Sequence, residues 1–331
     1  MSKVYNMAFA GFRHGHIYGL LNLAKESERV NITGGWEDFE ADKKTAIENH
    51  GVDFCYDTYE DILNDSAVDI VAIGNYYQAR GQMVIDALKA GKHVICDKPI
   101  CISEEELEEI KKLQKATGLQ VFAMLDMRFN ENVNRAKKLI DDGMIGEVTN
   151  ICLGGQHPLM YGSRACWYFE EGKHGGTITD IAVHGVDLLH YFTGSKIKEI
   201  NGARCWNKFA KEVKHFRDSA MFMLTLENGA GVMADVSYAV PDTIGFSIPY
   251  YWDFKIWGTE GVMAFSFSSD GIDLYKNGNT EVVKVEKLPL EITYLEDFLN
   301  AIENKETKYL TTEASLLAME QTLKIQQKAD E

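Results

Sequence analysis

The sequence of 331 residues has no Cys-x-x-Cys pair, no apolar run long enough to span a bilayer and no excess of positive charge. Each absence removes a class of protein. The six cysteines (55, 96, 101, 152, 166 and 205) are scattered, so they read as reduced cytoplasmic thiols, not as a disulfide frame or a zinc site. With 50 acidic residues against 34 basic ones the formal charge is -16. That balance works against a nucleic-acid or anionic-membrane surface and favours a small-molecule partner. The opening stretch "MSKVYNMAFA" lacks the long apolar core of a signal peptide. There are no internal repeats and no low-complexity linker. What is present is ordinary globular material, 45% hydrophobic and 25% charged, with length for two domains and a core in each.

Residues 1–126 alternate between strand-like and helix-like patterns. "VYNMAFAG", "VNITGGWE", the short "VDFCYD", "VDIVAIGN", "KHVICDKP" and "LQVFAMLD" read as six strands with helices between them. Gly51 and Gly118 close two of those helices, and Ser103 with Glu106 forms a capping box that opens another. Six such alternations predict an α/β domain with a parallel, doubly wound sheet. After a helix near 130–142 the character changes. Residues 127–331 form a second, α+β domain with an open sheet. "SAMFMLTLENGAGVMADVSY" reads as a hairpin turning at Glu227 to Ala230, and "YWDFKIWGTEGVMAFSF" as another around Gly258 to Gly261. One apolar helix interrupts these strands and two helices close the chain.

In a doubly wound sheet, ligands sit at the carboxyl ends of the strands. The first strand ends in Gly11-Phe12-Arg13-His14-Gly15-His16, an altered phosphate turn in which Arg13 offers a charge where glycine would offer close backbone amides. His14 and His16 read as polar lining of the cleft and not as metal ligands, because no third or fourth ligand is evident nearby. Glu37 and Asp38 follow the second strand. A carboxylate there accepts hydrogen bonds from an adenosine ribose and repels a 2'-phosphate, which favours NAD over NADP; helix capping by Asp38 is the equal alternative. Asn75-Tyr76 and Asp97-Lys98-Pro99 end two later strands. Lys98, placed at a buried strand end, would have its pKa lowered by desolvation toward a range useful for acid–base work; an exposed loop lysine is the plainer alternative.

A second constellation lies on the apolar helix. Asp180, His184 and Asp187 stand at i, i+4 and i+7, so they share one face. A carboxylate that orients an imidazole can move a proton, and a structural His–Asp bond is the competing account. Gly175-Gly176 just before the helix would let a ligand approach the backbone. Arg128, His157, Arg164, Trp167, Tyr168 and His174 lie on segments expected to border a pocket for a polyhydroxylated substrate.

These pieces together resemble the glucose-fructose oxidoreductase, inositol dehydrogenase and rhizopine catabolism family (Gfo/Idh/MocA), almost end to end. "DKPI" is similar to its Glu-Lys-Pro signature, "MRFNENVNRAKKLIDDGMIGEV" to its link between domains, "GGTITDIAVHGVDLLHYFTG" to its Gly-Gly…Asp-x-x-x-His helix and "IWGTEGVM" to a sheet-edge turn. The resemblance implies a Rossmann domain, an open-faced mixed-sheet domain, NAD(P), a sugar or cyclitol substrate and catalytic roles for Lys98, Asp180 and His184. It also implies a homodimer or homotetramer joined through the open sheet. The sequence departs from the family at Arg13, at Gly15-His16, at Asn75-Tyr76 (the family has Thr-Pro) and at Arg80 (the family commonly has histidine). All would line the cofactor cleft. The expected activity is hydride transfer between a nicotinamide and a sugar or cyclitol hydroxyl. The alternatives are a non-catalytic sensor, a redox-neutral lyase or hydrolase, and a barrel-type metal hydrolase using His14 and His16.

Overall fold

The computed structural model describes residues 3–331. In chain order the elements begin β1 (Tyr5–Ala10), α1 (His16–Glu26), β2 (Val30–Trp36), α2 (Glu40–His50), α3 (Tyr59–Asn64), β3 (Ile70–Ile73), α4 (Tyr77–Lys89) and β4 (His93–Cys96). There follow α5 (Glu104–Thr117), β5 (Val121–Ala123), α6 (Glu131–Asp141), β6 (Val148–Pro158), α7 (Val183–Thr193), β7 (Ile197–Trp206) and β8 (Ser219–Leu226). The last are β9 (Gly231–Val240), β10 (Asp253–Gly258), β11 (Gly261–Ser266), β12 (Ile272–Lys276), β13 (Val283–Val285), α8 (Tyr294–Ile302) and α9 (Thr312–Asp330).

The chain divides into two compact units. The first holds Met1–Leu125, Gly172–Gly175 and Ile292–Glu320; the second holds the remainder. The units are therefore not contiguous in sequence, where the alternation alone gave a single crossing near residue 126. The first unit is a five-stranded parallel sheet in the order β2-β1-β3-β4-β5. All four residues of β3 are buried, as a strand covered by helices on both faces must be. Because β1 lies between β2 and β3, the strand order reverses at β1, which makes its carboxyl end the switch point of the sheet. The expected strand "VDFCYD" does not form. Its backbone meets that of β2 where Gly35 N donates to Asp53 O at 2.8 Å and Tyr56 N to Gly35 O at 3.5 Å, too few bonds for a ladder. An open sheet of five strands also removes the barrel-type hydrolase, which needs eight strand–helix units closed on themselves. Ser103, Gly51 and Gly118 cap as read: Ser103 accepts from the third residue of α5, and Gly51 and Gly118 end α2 and α5 in the left-handed conformation; Thr58, not foreseen as a cap, does for α3 what Ser103 does for α5.

The second unit is an eight-stranded mixed sheet, β13-β12-β11-β10-β6-β9-β8-β7, with β6 and β9 parallel and both expected hairpins present. Helices α6 and α7 pack on this sheet. Alternation along β8 and β9 leaves Met221, Met223 and Met233 outward, each about half exposed at 53%, 50% and 57%. Residues Ile178–Ala182, immediately before α7, form one π-helical turn where the sequence pattern predicted continuous α-helix. Among the described residues no helix is long and apolar enough to cross a membrane.

Candidate active site

The β1–α1 turn is built around one glycine. Gly11 has φ +85°, and a Cβ there would stand 2.8 Å from the backbone of Asn75, so only glycine lets β1 leave the sheet this close to β3. Gly15 has no such duty, since a Cβ on it would meet nothing within 4 Å. Phe12 turns inward against Phe9, Tyr18 and Phe54, and its N–H donates to Glu37 at 2.6 Å. Helix α1 starts with no side-chain cap and no acidic residue in its first turn, which leaves the positive end of its dipole uncompensated.

Arg13 is placed differently from the expectation. Its guanidinium does not stand clear for a phosphate: Nε donates to Glu37 at 2.8 Å, Nη2 to Asp38 at 2.5 Å, and Asp42 lies 3.6 Å away. It also lies over Phe39 at 4.5 Å and within 5.9 Å of the Tyr76 ring. The carboxylates stand just after β2, the strand next to β1, so the fold itself brings them to the cation. Glu37 is likewise not an open ribose acceptor. It is buried, and its oxygens take the N–H groups of Phe12 and Phe39 besides Arg13. Asp38, with a side chain 55% accessible, is the carboxylate of this pair that faces solvent.

Asp97, fully buried after β4, is the hub of the first unit's strand ends. It accepts from Arg80 Nη2 at 2.9 Å, while His14 Nδ1 lies 2.6 Å and His16 Nδ1 3.1 Å from its two oxygens. Burial alone would raise its carboxyl, but Arg80, His14 and His16 outweigh that and hold it well below the usual carboxylate range. Burial pushes the His14 imidazole down to about 4, against the pull of Asp97. Arg80, expected to line a cleft, is fully buried instead and also donates to the carbonyls of Asn75, Lys98 and Pro99. A guanidinium fork can bind four such oxygens at once and a histidine cannot, which accounts for the exchange.

Lys98 is buried, and its Nζ lies 6.0 Å from the centre of the Tyr77 ring. The same ring meets His14 at 5.7 Å and His174 at 5.6 Å. His174 arrives on Gly172–Gly175, which is anchored to α4 by Gln78 N donating to Lys173 O at 3.2 Å. Lys173 in turn sits 4.9 Å over Tyr76. Asn75 turns its amide inward, within 3.5 Å of the Met83 sulfur and 2.8 Å of Tyr76 N.

The second unit gathers its own set. Asp180 lies in the π-helical turn, buried, and the buried Tyr238 hydroxyl on β9 donates to its carboxylate. Burial first, and then the Asp180 charge, push the phenol well above its ordinary value, so it remains a donor. His184, also buried, has Nδ1 3.7 Å from Asp126 and its ring 6.0 Å from Trp252. His157 is surrounded by Tyr251, Phe246, Trp252 and Tyr238 at 5.1–6.5 Å. Arg164 lies over Tyr168 and Tyr238, and the Trp167 ring lies 4.2 Å from that of Tyr168, tilted by 36°. Arg128 does not join them. It forms a buried two-pronged pair with Asp187 at 2.6 and 2.7 Å, so it ties the segment before α6 to α7. Asp187, expected to share a face with Asp180 and His184, therefore has a different partner. The glycines before the helix admit side chains of the protein itself: a Cβ on Gly176 would meet the Gln326 amide at 2.2 Å, and that amide oxygen accepts from Ile178 N at 3.0 Å. Tyr238, Trp252 and Asp126 escaped the sequence reading. A tyrosine among the inward positions of β9 was the available signal, because a buried hydroxyl needs a partner.

Two family descriptions match the sequence. An oxidoreductase family with an NAD-binding Rossmann fold matches residues 6–125, and the C-terminal domain of the same Gfo/Idh/MocA group matches residues 133–264. The chain belongs to the Gfo/Idh/MocA family. Among its relatives is the Bacillus subtilis oxidoreductase YrbE, 26% identical over 59% of this chain and 56% of that protein. Another is the inositol 2-dehydrogenase/D-chiro-inositol 3-dehydrogenase of Lactiplantibacillus plantarum, 24% identical over 92% of this chain and 83% of the relative. For several curated relatives the match spans only about half to three fifths of their length. The fold is that of the aldose-aldose oxidoreductase from Caulobacter crescentus, with a TM-score of 0.81 at 19% identity over 99% of this chain and 98% of that one. In a Gfo/Idh/MocA protein the first unit is the NAD-binding one. Its turn fits an anionic dinucleotide in two respects: Gly11 brings the backbone close to β3, and α1 presents an uncapped positive end.

Proposed function

We propose that the protein is an NAD-dependent dehydrogenase of a secondary hydroxyl on a sugar, sugar derivative or cyclitol. The observation that carries this reading is the buried Asp180–Tyr238 bond with His184 on the following turn of the same helix, in a chain whose other unit buries a lysine at a strand end. Bound in the first unit, the nicotinamide would supply a hydride acceptor. The chain's own work is proton transfer and positioning. Lys98 in the first unit and His184 in the second are each candidates to take the proton that leaves the substrate hydroxyl, and Asp180, held by Tyr238, is the candidate to orient that hydroxyl. The aromatic rings around His157, with Arg164, suit the apolar faces and hydroxyl edges of a polyol ring.

Asp38 at the end of β2 supports NAD over NADP. The apolar outer face of β8 and β9, where Met221, Met223 and Met233 project, supports association of two or four copies through the open sheet. Six free thiols suit a reducing compartment, the cytoplasm.

The test is turnover on a panel led by myo-inositol and D-xylose, the compounds in the names of inositol and D-xylose dehydrogenase relatives. Lys98→Ala and His184→Ala should each lower the rate by roughly 100- to 10,000-fold, with NAD affinity little changed. Near-native turnover by either variant sinks the assignment. The side chains at the fingerprint positions 13 and 16 favour a second reading, a sensor on the same fold. That reading takes over if the protein binds NAD and a polyol but reduces no cofactor.

A further inference from the structure

One cluster of the first unit is not used by the dehydrogenase reading. One ring nitrogen each of His14 and His16 and a carboxylate oxygen of Asp97 all lie within 4.8 Å of one another, and both Nδ1 atoms are at hydrogen-bond distance from Asp97, 2.6 and 3.1 Å. The two rings are 4.7 Å apart at 79°, so their edges converge on the carboxylate and do not stack. We propose that His14, His16 and Asp97 bind a divalent transition-metal ion. The proposal stands whether or not the protein is a dehydrogenase. The ground on which the sequence pattern spoke against metal was the want of a third ligand, and Asp97, more than 80 residues away in sequence, supplies it.

Two imidazoles and one carboxylate suit zinc, iron(II), cobalt, nickel or manganese and are a poor match for calcium, which takes six to eight oxygens. The ligands stand on rigid elements: the turn fixed by Gly11, the first residue of α1, and the residue after β4. A metal-binding carboxylate is normally held by an outer partner, and Arg80 fills that place at 2.9 Å from Asp97, itself fixed by three carbonyls. The ion has a way in, because the His16 side chain is 34% accessible although Asp97 is fully buried. In the metal-free state the histidines lie at hydrogen-bond distances from Asp97. Uptake of the ion requires only that each ring carry its proton on Nε2 instead of Nδ1.

Three protein ligands leave coordination positions open. Arg80 already balances the charge of Asp97, so the ion brings net positive charge to the uncapped start of α1. Both favour phosphate oxygens in the open positions. The cation would then do for a dinucleotide diphosphate what the missing fingerprint glycines do elsewhere.

The experiment is calorimetric titration of ZnCl2 and MnCl2 into chelator-stripped protein, with elemental analysis of the dialysed product. The parent should take up one equivalent of at least one of the two ions. His16→Ala and His14→Gln should each weaken that uptake at least tenfold, measured on variants whose circular dichroism shows them folded. Should His14→Gln fail to fold, the more accessible His16 carries the test alone. No uptake by the parent overturns the proposal, and so does equal uptake by parent and His16→Ala, which would place the ion elsewhere. Titration of NAD with and without the ion tests the phosphate role. Tighter binding with the ion supports it, and equal binding removes it.

Discussion

Replacing Arg80 with methionine keeps the length of the side chain and removes its charge and all its donors. Asp97 then keeps His14 and His16 but loses its guanidinium partner, and breaking a buried pair by removing one partner costs about 3–5 kcal/mol. Three carbonyls, those of Asn75, Lys98 and Pro99, lose the same partner. Each contributes about 0.5–1.5 kcal/mol if it finds no other donor. Against a domain stability of about 5–15 kcal/mol, the first unit should become marginal. With a urea slope of about 2 kcal/mol per molar, the Asp97 contribution alone lowers the unfolding midpoint by about 1.5–2.5 M.

The assay is urea unfolding followed by circular dichroism, with peptide-level hydrogen exchange over residues 70–100 to assign the transition to the first unit. Arg80→Met/Asp97→Asn should recover more than half of the loss, because the cost lies in the orphaned charge and not in the missing cation. A midpoint shift below about 0.5 M, or a double variant no better than the single one, would refute the reasoning. In that case Arg80 would be held for a ligand and not for the fold.

Three further outcomes are expected. Tyr238→Phe removes the donor to Asp180 while keeping the ring against Phe216, so turnover should fall about 10- to 100-fold, the equivalent of one hydrogen bond to a charged group, with NAD affinity unchanged; unaltered turnover would reduce Tyr238 to packing. Asp38→Ser should narrow the gap between NAD and NADP in calorimetry, and an unchanged ratio would reject the carboxylate as the discriminator. His93 is pushed down to about 4 by burial and accepts from Gln120 N at 3.0 Å, so the folded state resists its protonation and stability is lost as pH falls from 6.5 toward 4. His93→Asn keeps an acceptor that does not titrate in this range, so its melting temperature should fall less than the parent's between pH 7 and pH 4.5; parallel curves would show that His93 does not govern this loss.

The legible part of the fold is the part written locally. β3 announces itself as an apolar run, Ser103 as a cap, and Asn228-Gly229 as a hairpin turn, because each depends on residues within a few positions. "VDFCYD" misled for the same reason. Its composition suits a strand, but it reaches β2 beside Gly34, where φ is +137° and no ladder forms. The site residues divide likewise. Lys98, Asp180 and His184 were visible as types at strand-end and helix positions. Their partners were not: Asp180 to Tyr238 spans 58 residues, Arg128 to Asp187 spans 59, and His14 to Asp97 spans 83. No periodicity reaches that far.

Arg13 shows why a departure from a fingerprint has to be read with its neighbours. Taken alone, an arginine in place of a phosphate-turn glycine looks like a charge aimed at the phosphate. In the fold it is one end of a set in which Glu37 ties the turn to β2 through Phe12 N and Arg13, while Asp97 ties the same turn to β4 through His14 and His16. Glycines would leave the turn held by close packing and open to backbone approach. Side chains hold it here, by charge, on both flanks. Arg13 thus serves the turn first as an ion-pair partner of Glu37 and Asp38, while the start of α1 lacks a side-chain cap.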